Sequence, residues 1–121
     1  MTFVTATLND SFRGSLLVVD TGAATSLISP SEAQRLGITI PNDIPKREIV
    51  ILGGRRLEVP FVRIKKIKVG DAVIENMEVA VFDAFPRTDA LSGLLGADFL
   101  HQFRFTLDRA NGRLILEPHG R

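Results

Sequence analysis

The sequence of 121 residues contains no cysteine and only two histidines. Without cysteine, the chain has no disulfide framework, no thiol nucleophile and no cysteine metal site. A large excess of one charge is also missing, because 15 basic and 14 acidic side chains give a formal net charge of +1. The basic clusters at Arg55-Arg56 and at Lys65 to Lys68 are interpreted as solvated strand faces, and no nucleic-acid partner is predicted.

Long apolar runs are missing too. The runs Leu16 to Val19 and Ile49 to Leu52 fall far short of the roughly 18 residues that cross a bilayer. Residues 1–10 lack a basic start followed by an apolar stretch, so no secretory signal is predicted. We expect a soluble domain without a membrane segment, either cytoplasmic by default or excised from a larger or membrane-anchored protein. The length predicts a single domain over residues 1–121.

Strand patterns dominate the chain and predict an all-β fold, a closed β-barrel or strongly folded sheet. The predicted strands cover residues 3–8, 14–19, 57–61, 64–69, 73–82, 103–107 and 113–116. Turn residues at Asn9-Asp10-Ser11, Gly70-Asp71 and Asn111-Gly112 predict three hairpins. The Asn-Gly pair is the strongest of these signals, because both residues tolerate a positive φ.

Two short helices are predicted between the strands. Ser29 to Glu32 has the pattern of a capping box with proline in the first helical turn, and Gly37 is a stop signal, so a helix is expected over residues 30–36. A second helix is expected over residues 97–103, a segment without glycine or proline that follows Gly96.

Asp20 is the residue that indicates a catalytic site. It follows the apolar run Leu16 to Val19 directly, where loss of water makes an isolated carboxylate unfavourable. Two such carboxylates meeting across a two-fold axis can share a proton, because like charges about 3 Å apart cannot both ionise. The hydroxyl of Thr21 can bond a partner loop, and Gly22 lets backbone approach closely. The tripeptide alone fits a turn after a core strand equally well.

A second segment, Gly93 to Leu100, favours the catalytic interpretation of Asp20 over a simple turn. Together with the run that enters Asp20-Thr21-Gly22-Ala23, it resembles the retropepsin-like aspartic proteases, including the bacterial single-domain group known as gag-polyprotein-like aspartyl proteases. The resemblance extends from about Val4 to Leu116. It implies a catalytic role for Asp20, Thr21 and Gly22 and a supporting loop formed by Leu94, Leu95 and Gly96.

The same resemblance implies a flap, a hairpin that closes over bound peptide, with Gly53 and Gly54 at its tip. We expect the cleft beneath it to be apolar and to favour bulky apolar residues on both sides of the cut. The predicted substrate-binding residues are Ala23, Ala24, Ile51, Leu52, Gly53 and Gly54. Neither a cofactor nor a metal is expected.

Ala24 and Ala97 depart from the viral members, which often carry an acidic residue and an arginine there. The joint loss indicates an alternative packing of the supporting loop. Asp98 is interpreted as a helix cap or a hydrogen-bond partner in that loop. His101 and His119 are interpreted as structural or exposed residues.

Asp83 and Asp89 are assigned to a loop without metal-site spacing. The terminal-strand dimer sheet of the family would require residues 1–5 and 113–117 to interleave between two copies.

The chain contains one Asp-Thr-Gly, so one copy holds half a site. The predicted function is therefore an aspartic endopeptidase that acts on peptide or protein substrates as a homodimer, with water activated by an Asp20/Asp20′ dyad. The alternatives are a catalytically weak retropepsin-like dimerisation or peptide-binding module, and an unrelated all-β domain with an accidental tripeptide.

Overall fold

The computed structural model describes residues 1–119, except for the side chain of Leu52. The described residues form nine strands, two α-helices and a 3-10 turn, Leu52–Gly54. The strands are β1 (Thr2–Leu8), β2 (Ser15–Val19), β3 (Leu27–Ile28), β4 (Lys46–Ile51), β5 (Arg55–Val69), β6 (Ala72–Val81), β7 (Gly93–Leu95), β8 (Arg104–Asp108) and β9 (Arg113–Glu117). The helices are α1 (Pro30–Arg35) and α2 (Ala97–Leu100).

Seven strands form one sheet in the order β1-β2-β7-β3-β6-β5-β4, and β8 pairs with β9 in a second sheet. The end of β1 also pairs with β5, at Thr7–Lys68 and Leu8–Ile67, so the large sheet folds back on itself. Most neighbouring strands are antiparallel, but β2 and β7 run parallel, as do β3 and β6. The predicted all-β, strongly folded sheet is therefore confirmed.

The large core cluster is enclosed by this folded sheet and by the two helices. Its fully buried side chains include Ile64, Leu95, Phe99 and Leu100. A smaller cluster lies where the β4–β5 hairpin meets the sheet, and it consists of Leu27, Ile49, Val59 and Ala80. Strand alternation decides which β4 side chain joins the smaller cluster, because Ile49 is buried while its neighbour Val50 is 58% exposed.

All three predicted hairpins form, and their turns differ in detail. Asn9 and Asp10 have φ values of 55° and 56°, and the Ser11 N–H donates to the Leu8 carbonyl over 3.0 Å. This is the geometry of a primed turn that matches strand twist. In the Asn111-Gly112 pair only Gly112 has a positive φ, of 61°. The turn between β8 and β9 spans four residues, 109–112, which relieves Asn111 of that conformation.

The helices start as predicted, and the second is shorter than expected. At α1 the Glu32 N–H donates to the Ser29 hydroxyl over 3.1 Å. The Glu32 carboxylate does not complete the capping box and turns to other partners instead. α2 ends at Leu100 because the next amides, of Gln102 and Phe103, donate three residues back, as in a 3-10 turn.

Gly93 begins β7 at a close backbone crossing. A β-carbon at this position would lie 2.0 Å from the Leu27 carbonyl oxygen and 2.9 Å from the Ile28 Cα. Both contacts are with backbone that is fixed by pairing of β3 with β7 and with β6. Glycine is therefore required for β7 to lie between β2 and β3.

Substituting Gly93→Ala tests this requirement. We expect a loss of about 3 kcal/mol or more in the free energy of unfolding, because the added methyl group meets immobile backbone. Gly70→Ala is the control, since Gly70 has a φ of 58° but open space around it, and its expected cost is about 1–2 kcal/mol. Urea unfolding followed by far-UV circular dichroism measures both. Equal destabilisation of the two variants would contradict the crossing argument.

Candidate active site

Asp20 lies at the end of β2, where the backbone leaves the sheet. Its N–H donates to the Leu95 carbonyl over 3.0 Å, which continues the parallel pairing of Val19 with Leu95. The Gly22 N–H donates to the Asp20 Oδ1 over 3.0 Å, and the Ala23 N–H donates to the Asp20 carbonyl over 3.2 Å. The carboxylate is thereby held by its own loop and remains partly exposed.

The segment predicted to support this loop lies directly beneath it. The amides of Ala97 and Asp98 donate to the carbonyls of Ala23 and Ala24 over 2.7 and 3.2 Å. A β-carbon on Gly96 would approach the Ala23 carbonyl oxygen to 2.7 Å. The approach of α2 to the Asp20 loop therefore depends on glycine at position 96.

The side chains of Ser26 and Asp98 join the same two segments by hydrogen bonds, and we call this pair the clasp. The Asp98 carboxylate accepts the Ser26 N–H over 2.8 Å and the Ser26 hydroxyl over 2.6 Å. The Ser26 oxygen in turn accepts the Gly96 N–H over 2.8 Å. Asp98 Oδ1 also accepts the Phe99 N–H over 2.8 Å. Of the two roles predicted for Asp98, the hydrogen bonds to the supporting region are present, but the helix cap is wrong, because the N-cap of α2 is Gly96. Ala24 and Ala97 contribute backbone contacts.

A cleft of about 580 Å³ opens between Asp20 and the β4–β5 hairpin. Five of the predicted substrate-binding residues line it, namely Ala23, Ala24, Ile51, Gly53 and Gly54, together with Asp20 and Gly22. The Leu52 side chain lies outside the described residues, so its predicted role stays a prediction. Asp20 is the only charged side chain among the described lining residues.

Sequence reasoning missed much of the apolar wall. Additional lining residues are Met1, Val18, Thr25, Leu27, Ile49, Val50, Phe82, Ala84, Phe85 and Leu94. Alternation with Ile51 could have identified Ile49, since the two side chains share a strand face. No local pattern marks Phe82 and Phe85, which reach the cleft through the loop that follows β6. The Asp83 carboxylate in this loop accepts the Phe85 N–H and so stabilises the turn.

Asp20 also borders a second cavity, of about 380 Å³. Thr21 lines this space and not the cleft, and Thr2, Leu107 and Arg109 contribute to its wall. Asp20 is again the only carboxylate among the lining residues that the structure describes. One copy of the chain therefore presents a single carboxylate between two open spaces.

The two histidines lie away from both cavities. The His101 ring stacks on Phe105 with centroids 5.9 Å apart, and His119 Nε2 lies 3.1 Å from the His101 carbonyl oxygen. Among residues 1–119, no cluster of three or more His, Asp or Glu side chains has the arrangement of a metal site. Across the same residues, none of the helices has the length and hydropathy needed to traverse a bilayer.

The residues predicted to interleave in a dimer are paired within the chain. Thr2 to Ala6 pair with residues of β2, and Arg113 to Glu117 pair with β8. The described structure therefore leaves neither segment as a free strand.

Comparison with known proteins agrees with this geometry. A family model described as "Aspartyl protease" matches residues 4–99, and the chain belongs to this family. The search among curated proteins found no match.

Solved structures show the same fold. A retropepsin-like aspartic protease from Rickettsia conorii has 20% identity and a TM-score of 0.67, over 88% of this chain and 76% of that chain. The retroviral protease-like domain of Ddi1 from Leishmania major has 21% identity and a TM-score of 0.64, over 96% and 87%. The EIAV protease in complex with the inhibitor HBY-793 has 23% identity and a TM-score of 0.58, over 82% and 84%. The predicted retropepsin-like fold is confirmed.

Asp98→Asn tests the clasp. The amide offers one acceptor oxygen where the carboxylate offers two, so one Ser26 donor loses its partner. We expect a loss of about 1–3 kcal/mol in the free energy of unfolding. Asp71→Asn, at the exposed turn between β5 and β6, is the matched control, with an expected change within about 0.5 kcal/mol. Thermal unfolding followed by circular dichroism compares them, and matching curves for the two variants would disprove the clasp.

Proposed function

We propose that the chain is an aspartic endopeptidase that hydrolyses peptide bonds as a homodimer, using Asp20 from each of two copies. The observation that carries this proposal is the isolation of Asp20 as the only charged side chain among the described residues that line an apolar cleft. Family membership and the retropepsin-like fold support the same reaction class. We further propose that residues 1–121 act as one domain.

The dyad would work as a paired acid and base. Two carboxylates about 3 Å apart hold one proton between them, because both cannot ionise. The ionised member takes a proton from water while the oxygen of that water bonds to the scissile carbonyl carbon. The protonated member gives its proton to the carbonyl oxygen. Breaking of the C–N bond, with proton transfer to the leaving nitrogen, then yields a carboxylic acid and an amine without a covalent enzyme intermediate.

The partner copy would complete the site from the side of the second cavity. Thr21 is exposed and lines this cavity, and within residues 1–119 of one copy its hydroxyl has no hydrogen-bond partner. In an isologous dimer the same loop approaches its own copy across the two-fold axis. Thr21 would then lock the two loops together and set the separation of the carboxylates.

The substrate would lie extended between the Asp20 loop and the β4–β5 hairpin, which we propose is the flap. β4 is the last strand of the sheet order, and its outer edge can accept an added strand of substrate backbone. The flap tip can turn tightly because Gly53 and Gly54 have φ values of 85° and 78°. Ile51, Ala23 and Ala24 would contact the side chains next to the cut.

Asp20→Asn separates catalysis from binding. We expect the wild type to cleave a denatured protein between about pH 3 and 7, and the variant to lose this cleavage by a factor of about 10⁴ or more, because no proton can pass through an amide. Sedimentation of both proteins controls for dimer formation. A dimeric wild type that cleaves nothing at any pH would favour the dimerisation or peptide-binding module instead.

Cleavage specificity follows from the lining of the cleft. In a peptide library we expect bulky apolar residues on both sides of the cut, because the wall consists largely of aliphatic and aromatic side chains. Mass spectrometry of the products identifies the cleaved bonds. Cleavage spread evenly over charged and small residues would contradict this assignment.

A further inference from the structure

Glu32 is a buried carboxylate for which the proposed reaction has no use. It lies on α1 and is only 7% exposed. It accepts the Nε and Nη2 donors of Arg35 over 2.8 and 2.6 Å, and it accepts the hydroxyl of Ser15, which is fully buried. These donors offset the cost of burying the carboxylate.

The same glutamate belongs to a closed ring of hydrogen bonds. Its N–H donates to the Ser29 hydroxyl over 3.1 Å, and the Ser29 N–H donates to the Ser92 carbonyl over 2.9 Å. The Ser92 N–H donates to the Leu16 carbonyl over 2.8 Å, and Leu16 follows Ser15. The ring thus ties α1 to the start of β2 and to the residue that precedes β7.

These two strands carry the candidate site at their far ends. β2 leads from Ser15 into Asp20, and β7 leads from Gly93 into Gly96. They pair in parallel, and the ladder ends with the Asp20 N–H donating to the Leu95 carbonyl. A shift between the strand starts would be transmitted along this buried ladder, because close-packed interiors do not absorb such strain locally.

We propose that Glu32 is a positioning residue for Asp20. As a carboxylate it fixes the distance between the starts of β2 and β7, and this distance aligns Asp20 with its supporting loop. When Glu32 is protonated, that distance is no longer fixed. The proposal rests on the proposed function for its consequence in catalysis. Its structural part, the coupling of Glu32 to the Asp20 backbone, stands without it.

The charges around Glu32 set the direction of the pH effect. Burial by itself would raise the pKa of Glu32, but hydrogen bonds from Arg35 and Ser15, the Arg35 charge and a smaller effect of Ser92 hold the pKa below its ordinary value of 4.5. From β2 and from the segment before β7 only serine hydroxyls face the carboxylate, and Arg35 is the one charged group among these partners. Arg35 also bonds the Ser11 hydroxyl and the Arg13 carbonyl.

The direction in which stability changes with pH follows from this lowered pKa of Glu32. The carboxylate stabilises the folded chain at pH values above the ordinary value of 4.5. That contribution is lost as the pH falls below 4.5 and through the folded-state pKa. We therefore expect the alignment of Asp20 to weaken in the same acid range.

The test compares Glu32→Gln with Glu75→Gln. The amide introduced by Glu32→Gln has the shape of the protonated carboxyl group at every pH, whereas Glu75 is an exposed glutamate on β6, outside the ring. At about pH 5.5 we expect the kcat of the Glu32→Gln dimer to fall about tenfold to a hundredfold, with KM changed less than about twofold, because misplacement affects the reacting groups more than the cleft wall. Glu75→Gln should match the wild type.

A second readout does not depend on activity. Amide hydrogen exchange, measured by NMR on folded protein at the same pH, should be faster at Asp20 and Ser92 in Glu32→Gln than in Glu75→Gln. In the wild type the same amides should exchange faster, relative to the remaining core amides, as the pH falls below 4.5. If Glu32→Gln does not fold, Ser15→Ala keeps the ion pair, removes the link to β2 and should show the same changes at smaller size.

The outcomes distinguish the two proposals. Unchanged exchange at Asp20 in Glu32→Gln and Ser15→Ala overturns the positioning role, as does a kcat equal to that of Glu75→Gln across the pH range. Faster exchange at Asp20 in these variants of a protein whose wild type cleaves no peptide would retain the coupling and reject the protease function.

Discussion

The parallel pairing of β2 with β7 is the constraint on which the rest of the structure depends. It fixes the Asp20 amide to Leu95 and brings Gly96 beneath the Asp20 loop. β7 can enter between β2 and β3 only because Gly93 lacks a side chain. The position of one carboxylate therefore depends on glycines more than 70 residues further along the chain.

Two polar contacts hold the ends of this ladder, one of them buried and the other partly buried. At one end Asp98 joins Ser26 to the supporting loop, and at the other Glu32 joins Ser15 to α1. Each carboxylate is satisfied by several donors, as burial requires. The Asp20 carboxylate differs, because the structure describes only the Gly22 N–H as its donor. A carboxylate left open between two cavities is suited to a reaction that needs both water and a second carboxylate.

Much of the fold could be predicted because its signals are local. Alternating side chains identified the long strands, turn residues identified three hairpins, and the Ser29-Pro30 pattern identified α1. Predictions became less exact where tertiary contacts override local preference. α2 ends early because the Gln102 and Phe103 amides form 3-10 bonds back to the buried Phe99 and Leu100. Glu32 leaves the capping box because Ser15 and Arg35 offer it stronger partners.

The sequence by itself determined the class of the protein and its candidate residue, since an apolar run entering Asp-Thr-Gly and a later Leu-Leu-Gly are patterns within a few adjacent positions. Only the tertiary structure decided what surrounds Asp20. Ser26 and Asp98 lie 72 positions apart, and Phe82 and Phe85 reach the cleft through a loop without a pattern of its own. Side-chain periodicity reports which face of a strand is buried, whereas the partner that buries it depends on strand order, which no short segment encodes.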